Sequence, residues 1–433
     1  MQKFDSSVHK LVFVVLLVLY RLALDLCYYF AIVPNYGYMG FESDIVFSSY
    51  LVSLLIYVMV LPSLSLTITR LSDFYLLFFV LSFIAPLSSF YGLSGSPLYP
   101  LFLSVIVFLI FYVLTRRSVY QIFPAFPVLI EGKIISVFGS FVLVAFLIFW
   151  YFYSGATKYL NLDISKVYEF REDSAELANI GFLAYLNSWI YQVINLFLIS
   201  VCLLKKRYFV FLILLLVQIF FFAVTGHKSL LFYPFLIFGV FYYFSGRSGT
   251  PMIVFLLLSL VVLSALIFFV FDNIWPVSLL VRRVLFIPST LTYDYFSFFS
   301  ANEMLYWSNS IFSSFFEYPY DKSLPKLIGE FNGTDSGANN GFISSGYAHA
   351  GFFGVIFYTF IFSFAVLALE KFSSKLPLWF AIALTVVPLR TAIISSDLFT
   401  VLLTHGLLLT LVLVFLYRPS SVNRAKVGAE RRL

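Results

Sequence analysis

The side chains best suited to chemistry in this chain are three arginines, which stand in two polar gaps between apolar runs. Arg171 lies within YEFREDSAELANIG, and Arg282 and Arg283 lie within LLVRRVLFIPSTL. A guanidinium is permanently charged, and its planar fork matches phosphate oxygens two at a time. No acid occurs between Asp272 and Asp294, so Arg282 and Arg283 have no sequence neighbour to neutralise them. The pair therefore reads as an anion site, suited to a lipid-linked diphosphate. Arg171 is surrounded by Glu169, Glu172, Asp173 and Glu176, and pairing with these acids is the simpler reading for it.

Other polar residues extend the set. Lys228, in Gly226-His227-Lys228, adds a cation at a turn between two short apolar runs. His349, in GYAHAGFFG, could accept a proton from a sugar hydroxyl. Asp294, Glu303 and Asp335 could do the same, and nothing in their spacing chooses between the four. The segment FNGTDSGANNG at 331–341 has the composition of turns. Its Asp335 and Asn339 also suit sugar hydroxyls, and Tyr347 just beyond it joins them as a candidate substrate contact. Glu42-Ser43-Asp44 offers two carboxylates to a divalent cation. The chain has no HExxH, paired histidines or cysteine cluster, so a metal-free site built on arginine is expected, with no cofactor. Arg21 and Asp25 stand four residues apart within an apolar run, where they can neutralise one another as a structural pair. Arg390 and Asp397 bracket the last hairpin and read as a salt bridge. His405 has no obvious partner.

The elements that must position these residues are membrane helices. Hydrophobic residues make up 61% of the 433, and charged residues only 11%. A soluble chain carries roughly a quarter charged residues. Runs of about 20 apolar residues are needed to cross a bilayer as a helix, the form that satisfies its own backbone in lipid. Twelve such spans are expected, near 11–33, 45–61, 74–91, 98–114, 134–153, 186–204, 208–225, 229–244, 251–271, 348–369, 376–389 and 398–417. The alternating pattern of a membrane barrel is absent. Most of the 27 basic residues fall in alternate short connections, which puts both termini on the cytoplasmic side. The first run reads as an uncleaved helix rather than a signal peptide. The fold expected is thus an all-α polytopic membrane protein forming one membrane domain over 1–433, with large outer loops at 154–184 and 272–347. Within the second loop, 291–316 reads as a helix lying on the bilayer surface. Cys27 and Cys202 both lie in apolar runs and exclude a disulfide framework. The basic balance follows from the inner connections and gives no support for nucleic acid as a partner.

This layout resembles that of O-antigen polymerases of the Wzy type. The likeness is strongest in TGHKSLLFYPFLIFGVFYYF, VRRVLFIPSTLTYDYF and DSGANNGFISSGYAHAGFFG, while FREDSAELANIG is similar to the family's first-loop pattern of Arg ahead of Gly. The resemblance implies an inner-membrane glycosyltransferase acting at the periplasmic face. A growing glycan would leave undecaprenyl diphosphate and join the distal sugar of an incoming undecaprenyl-diphosphate-linked repeat unit, with a chain-length regulator as a possible protein partner. Arg171, Arg282 and Arg283 would carry the essential basic roles, whereas His349 matches no family motif. The chemistry asks for positive charge on the diphosphate leaving group and for a positioned hydroxyl with a proton acceptor. Direct displacement inverts the anomeric centre, whereas a retaining route needs a nucleophilic carboxylate. Two alternatives remain. An O-antigen ligase would use the same donor with lipid A core as acceptor, and a flippase of lipid-linked units would line a central cavity with charge.

Overall fold

A computed structural model describes residues 2–116, 127–163, 174–246, 248–310 and 312–419. Among these residues the regular structure is helical, and the β pairing is an isolated bridge between Thr67 and Gly249. Nine helices among them are long and apolar enough to cross a membrane. They are α1 (Val8–Met39), α3 (Leu71–Ser94), α4 (Tyr99–Arg116), α5 (Gly132–Tyr153), α6 (Phe182–Leu204), α7 (Tyr208–Thr225), α9 (Thr250–Phe271), α12 (Phe342–Ser373) and α14 (Leu398–Tyr417). Three shorter apolar helices, α2 (Phe47–Ser63), α8 (Ser229–Phe244) and α13 (Leu378–Ile394), stand where other spans were expected. The chain is a multi-pass helical membrane protein.

The helices fall into two compact units. The first comprises Met1–Val119, Ser248–Phe364 and Ala392–Leu398. Its centre is α3, 94% buried along its most apolar stretch, and its outward helix is α9, only 17% buried along its own. An all-apolar helix with so little cover needs lipid around it. Charge is nevertheless built into this unit. Arg21 pairs with Asp25, and its Nε and Nη2 donate to Ser88 Oγ at 2.9 Å and Ser53 Oγ at 3.1 Å. The Asp25 carboxylate accepts from Ser89 and, at 3.0 Å, from the Tyr50 hydroxyl. The expected internal pair is thus a polar clasp joining α1 to α2 and α3.

The second unit comprises Tyr120–Arg247, Ala365–Thr391 and Phe399–Leu433. Its centre is α6, 89% buried along its most apolar stretch. Asn195 on α6 donates to Gln218 Oε1 on α7 at 2.6 Å, and Gln218 returns a bond to the Tyr191 carbonyl at 3.0 Å. Such amide pairs hold neighbouring helices in register where water is absent. His405 meets Gln192 Oε1 at 3.2 Å, at the point inside α14 where the helix is interrupted and Gly406 takes φ +76°. The first long connection packs on α7, since Asn161 N–H donates to the Ala223 carbonyl and Ser174 Oγ to that of Val224.

The second long connection folds within the first unit. Its elements are a π-helical segment at Val277–Phe286, α10 (Ile287–Ala301) and α11 (Leu324–Phe331). The helix expected at 291–316 therefore starts earlier and stops at Ala301. Asn302 turns extended (φ −127°, ψ 168°), and its side chain caps the Phe298 carbonyl at 2.8 Å. Nor does α10 lie on the surface of its unit. Tyr293 packs on Phe90 of α3 with ring centroids 5.2 Å apart, and Phe296 packs on Tyr99 of α4 at 5.8 Å.

α12 is two helices separated by a reversal. Ala350 (φ −154°, ψ 35°) and Gly351 (φ 55°, ψ −136°) are not helical. Gly346 and Gly354 touch through their backbones: a Cβ added at Gly346 would sit 3.0 Å from the Gly354 carbonyl oxygen. Eight residues of straight helix would separate these two by about 12 Å. The half-helix from Phe342 to His349 therefore doubles back onto the long helix that follows, and Gly351 supplies the left-handed turn.

Candidate functional site

The first unit carries most of the candidate residues, in three groups. The first group is the arginine pair. The π-helical segment holds Arg282 half-buried and Arg283 exposed. Long π-helical runs are rare and tend to occur at functional sites. The Arg282 guanidinium lies over the Tyr36 ring at 4.1 Å, and its Nη2 donates to Ser278 Oγ at 3.2 Å. Nη1 approaches Met39 Sδ at 3.5 Å, while Nε is buried without a hydrogen-bond partner. Stacking fixes this guanidinium at the end of α1, and the Arg283 charge stands next to it, open to an anion. Burial draws the Arg282 pKa below its ordinary value, though Tyr36 and Tyr38 oppose the shift.

The second group surrounds Asp294 on α10. Asp294 is flanked by buried Thr292, Tyr293 and Tyr295 and sits half-buried at the edge of their face. Asn332, just past α11, donates to Asp294 Oδ2 at 2.7 Å. Burial pushes the Asp294 carboxyl up to about 6, and the Asn332 bond pulls weakly the other way. The turn segment after Asn332 is pinned from both sides. Lys326 Nζ donates to the Asp335 carbonyl at 2.9 Å, and the Tyr295 hydroxyl to the Ala338 carbonyl at 2.9 Å. Asn340 is buried, with its amide nitrogen on the Pro288 carbonyl at 2.9 Å and Thr292 Oγ1 at 3.1 Å. Asp335 and Asn339 themselves are exposed. Tyr347 is buried and stacked flat on Phe296, with centroids 3.9 Å apart and planes at 6°.

The third group is a relay around His349, which is 2% exposed. The Trp307 backbone N–H donates to Nδ1 at 3.3 Å, and Nε2 faces Asp397 Oδ2 at 3.4 Å. An Nδ1 that accepts a hydrogen bond puts the proton of the neutral ring on Nε2. Both ring nitrogens are thereby engaged. The Trp307 indole stacks on the imidazole at 5.2 Å and donates through Nε1 to the Tyr358 hydroxyl at 2.8 Å. The Tyr358 hydroxyl donates in turn to Asp397 Oδ2 at 2.8 Å. Tyr306 and Trp307 lie in the left-handed region, with φ of 46° and 57°. Bulky residues adopt that conformation only when surrounding contacts compel it. Here the compulsion is visible: Leu305 and Tyr306 N–H groups cap the carbonyls of Ala348 and His349 at 3.0 and 2.9 Å.

Arg171 falls outside the described residues. Lys228 belongs to the second unit, half-buried at the turn between α7 and α8. Glu42 and Asp44 are exposed, and among the described residues no three His, Cys, Asp or Glu side chains gather to hold a metal ion. The partners of His349 escaped sequence reasoning. Trp307 is 42 residues from it, and Asp397 is 39 residues from Tyr358, with no motif to join them. Comparison with protein-family models, with curated proteins and with solved structures finds no match to this chain.

Proposed function

We propose that this chain is an O-antigen polymerase of the inner membrane, with both termini cytoplasmic and the second long connection at the periplasmic face. A growing glycan leaves undecaprenyl diphosphate and is joined to the distal sugar of an incoming lipid-linked repeat unit. The observation that carries the reading is the arginine pair of the π-helical segment, one guanidinium locked over Tyr36 and the next one exposed. A diphosphate leaving group gains negative charge as the glycosidic bond breaks. Preorganised guanidinium charge at a poorly hydrated edge stabilises that gain more strongly than it would in water. The neighbouring Asn- and Asp-bearing turn supports an oligosaccharide acceptor, since exposed amides and carboxylates complement sugar hydroxyls. A chain-length regulator and membrane lipid are the partners this role entails.

The test is the surface polysaccharide made by cells whose sole copy carries Arg283→Ala, with Arg282→Lys beside it. Arg283 is exposed, so its loss is expected to leave protein level and topology unchanged while long-chain polysaccharide disappears and single repeat units remain on the core. Arg282→Lys is expected to restore only part of the polymer of wild type, because an ammonium cannot reproduce a stacked fork. Unchanged polymer ladders in both variants refute the reading, and polymer accumulating on the carrier lipid points instead to a ligase.

A further inference from the structure

The reading above leaves open which group takes the proton of the acceptor hydroxyl. We infer that Asp294 is the catalytic base, oriented by Asn332. The inference rests on the polymerase reading and names one further residue of the same reaction.

Four groups were open on sequence grounds, and the structure separates them. His349 has both ring nitrogens committed, one to the Trp307 backbone and one to Asp397, and is 2% exposed. An incoming hydroxyl finds no lone pair there. Glu303 and Asp335 are exposed, and their backbone carbonyls, which accept from Tyr320 and Lys326, are the parts of them tied into the fold. Their carboxylates accept no hydrogen bond among the described residues, so nothing orients them toward a substrate. Asp294 alone of the four is half-buried with a carboxylate that one side-chain donor holds in place, Asn332 Nδ2 on Oδ2 at 2.7 Å. Its Oδ1 accepts no hydrogen bond among the described residues.

The surroundings fit an acceptor sugar. Asp294 stands where α10 faces the end of α11, beside the segment that runs from Asn332 to Asn340. That segment is held close to α10 by Tyr295 on the Ala338 carbonyl and by Asn340 on Thr292 and the Pro288 carbonyl. It is packed so tightly on α11 that a methyl at Gly329 would collide with the Ser336 carbonyl. The exposed Asp335 and Asn339 thus stand on a rigid turn next to the carboxylate, a suitable rest for a saccharide whose hydroxyl points at Asp294. A base is most effective when it titrates near the working pH. The Asp294 carboxyl, raised by burial to about 6, is ionised at neutral pH yet more basic than an ordinary carboxylate.

The step balances without a further reactant. The acceptor oxygen forms a bond to the anomeric carbon as its proton passes to the Asp294 carboxylate. The bond from the anomeric carbon to the phosphate oxygen breaks, and its electron pair leaves with undecaprenyl diphosphate. The proton on Asp294 then returns to water.

The experiment uses full-length protein in lipid vesicles with undecaprenyl-diphosphate-linked repeat units extracted from cells that lack this chain. Polymer is followed from pH 5 to 9 for wild type, Asp294→Asn and Asn332→Ala. Wild-type activity is expected to fall on the acid side with a midpoint near 6. Asp294→Asn is expected to lose at least a hundredfold in kcat with KM little changed, in line with the share of rate that a positioned base supplies. Asn332 is exposed, so its replacement is expected to spare the fold. Removing its bond to the ionised carboxylate is expected to move the acid limb to higher pH, an effect that a merely structural contact does not produce. If wild type makes no polymer from these substrates, the polymerase reading fails. If wild type polymerises while Asp294→Asn keeps its rate, or Asn332→Ala keeps the acid limb in place, the assignment of Asp294 fails and the polymerase reading stands.

Discussion

Removing one member of the Arg21–Asp25 pair should cost this protein more than removing both. Arg21 is 0% exposed, and Asp25 is 6% exposed. In Asp25→Asn the guanidinium keeps its bonds to Ser53 and Ser88 but loses its counter-charge. A buried charge left alone in this way costs about 3–5 kcal/mol. Arg21→Met strands the carboxylate at a similar cost. The double variant Arg21→Met, Asp25→Leu removes both charges and roughly keeps the volume. Ser53 and Ser88 lose little, because their hydroxyls already donate to the backbone carbonyls of Tyr50 and Ala85. Ser89 and Tyr50 lose the acceptor they share on Asp25. Two orphaned hydroxyls cost about 1 kcal/mol each or slightly more. The double variant is therefore expected about 2–3 kcal/mol below wild type, above either single variant. Equilibrium unfolding in mixed micelles, followed by tryptophan fluorescence, measures all four corners of the cycle. A double variant as unstable as the sum of the singles would refute the claim that the clasp is held together by mutual neutralisation.

Two further outcomes test the geometry of the first unit. Gly354→Ala places a methyl against the Gly346 carbonyl, so the hairpin must spread; a loss of about 1–3 kcal/mol is expected, and an unchanged melting temperature in detergent would argue against the reversal at Gly351. Asp294 makes stability pH-dependent in a direction opposite to that of a salt-bridged carboxylate. Its folded carboxyl titrates near 6 and its unfolded one at 3.8, so the folded state holds the extra proton between those values. The cost of ionising it in place is absent below pH 3.8 and complete above 6, where it amounts to about 3 kcal/mol. Asp294→Asn lacks that cost, so its advantage over wild type is expected to grow from near zero at pH 4 to a plateau above pH 6; a constant difference across that range counts against the raised carboxyl.

What could be read from the chain in advance followed the length scale of each interaction. Apolar runs report the solvent around a helix directly, so the positions of α3, α6 and α9 were legible from composition alone. The Arg21–Asp25 pair was legible too, because one helical turn joins residues four apart. Its serine and tyrosine partners were not, since they come from α2 and α3. The break inside α12 was hidden for a different reason. GYAHAGFFG is apolar throughout, and nothing in hydropathy separates a straight span from one that reverses at Gly351. The same blindness extended 291–316 as a helix past Ala301. These two breaks have one physical cause. A half-helix that ends among apolar helices leaves carbonyls with no water to bind, and such a break persists only where other backbone meets them. The chain from Asn302 to Trp307 leaves its own helix to do this, as Leu305 and Tyr306 bond to Ala348 and His349. That obligation twists Tyr306 and Trp307 into the left-handed region and lays the indole on the imidazole. By residue type His349 is one of four candidate bases. The backbone debt of the half-helix next to it, which no side-chain pattern encodes, commits its nitrogens elsewhere and leaves Asp294 as the carboxylate best placed to receive a proton.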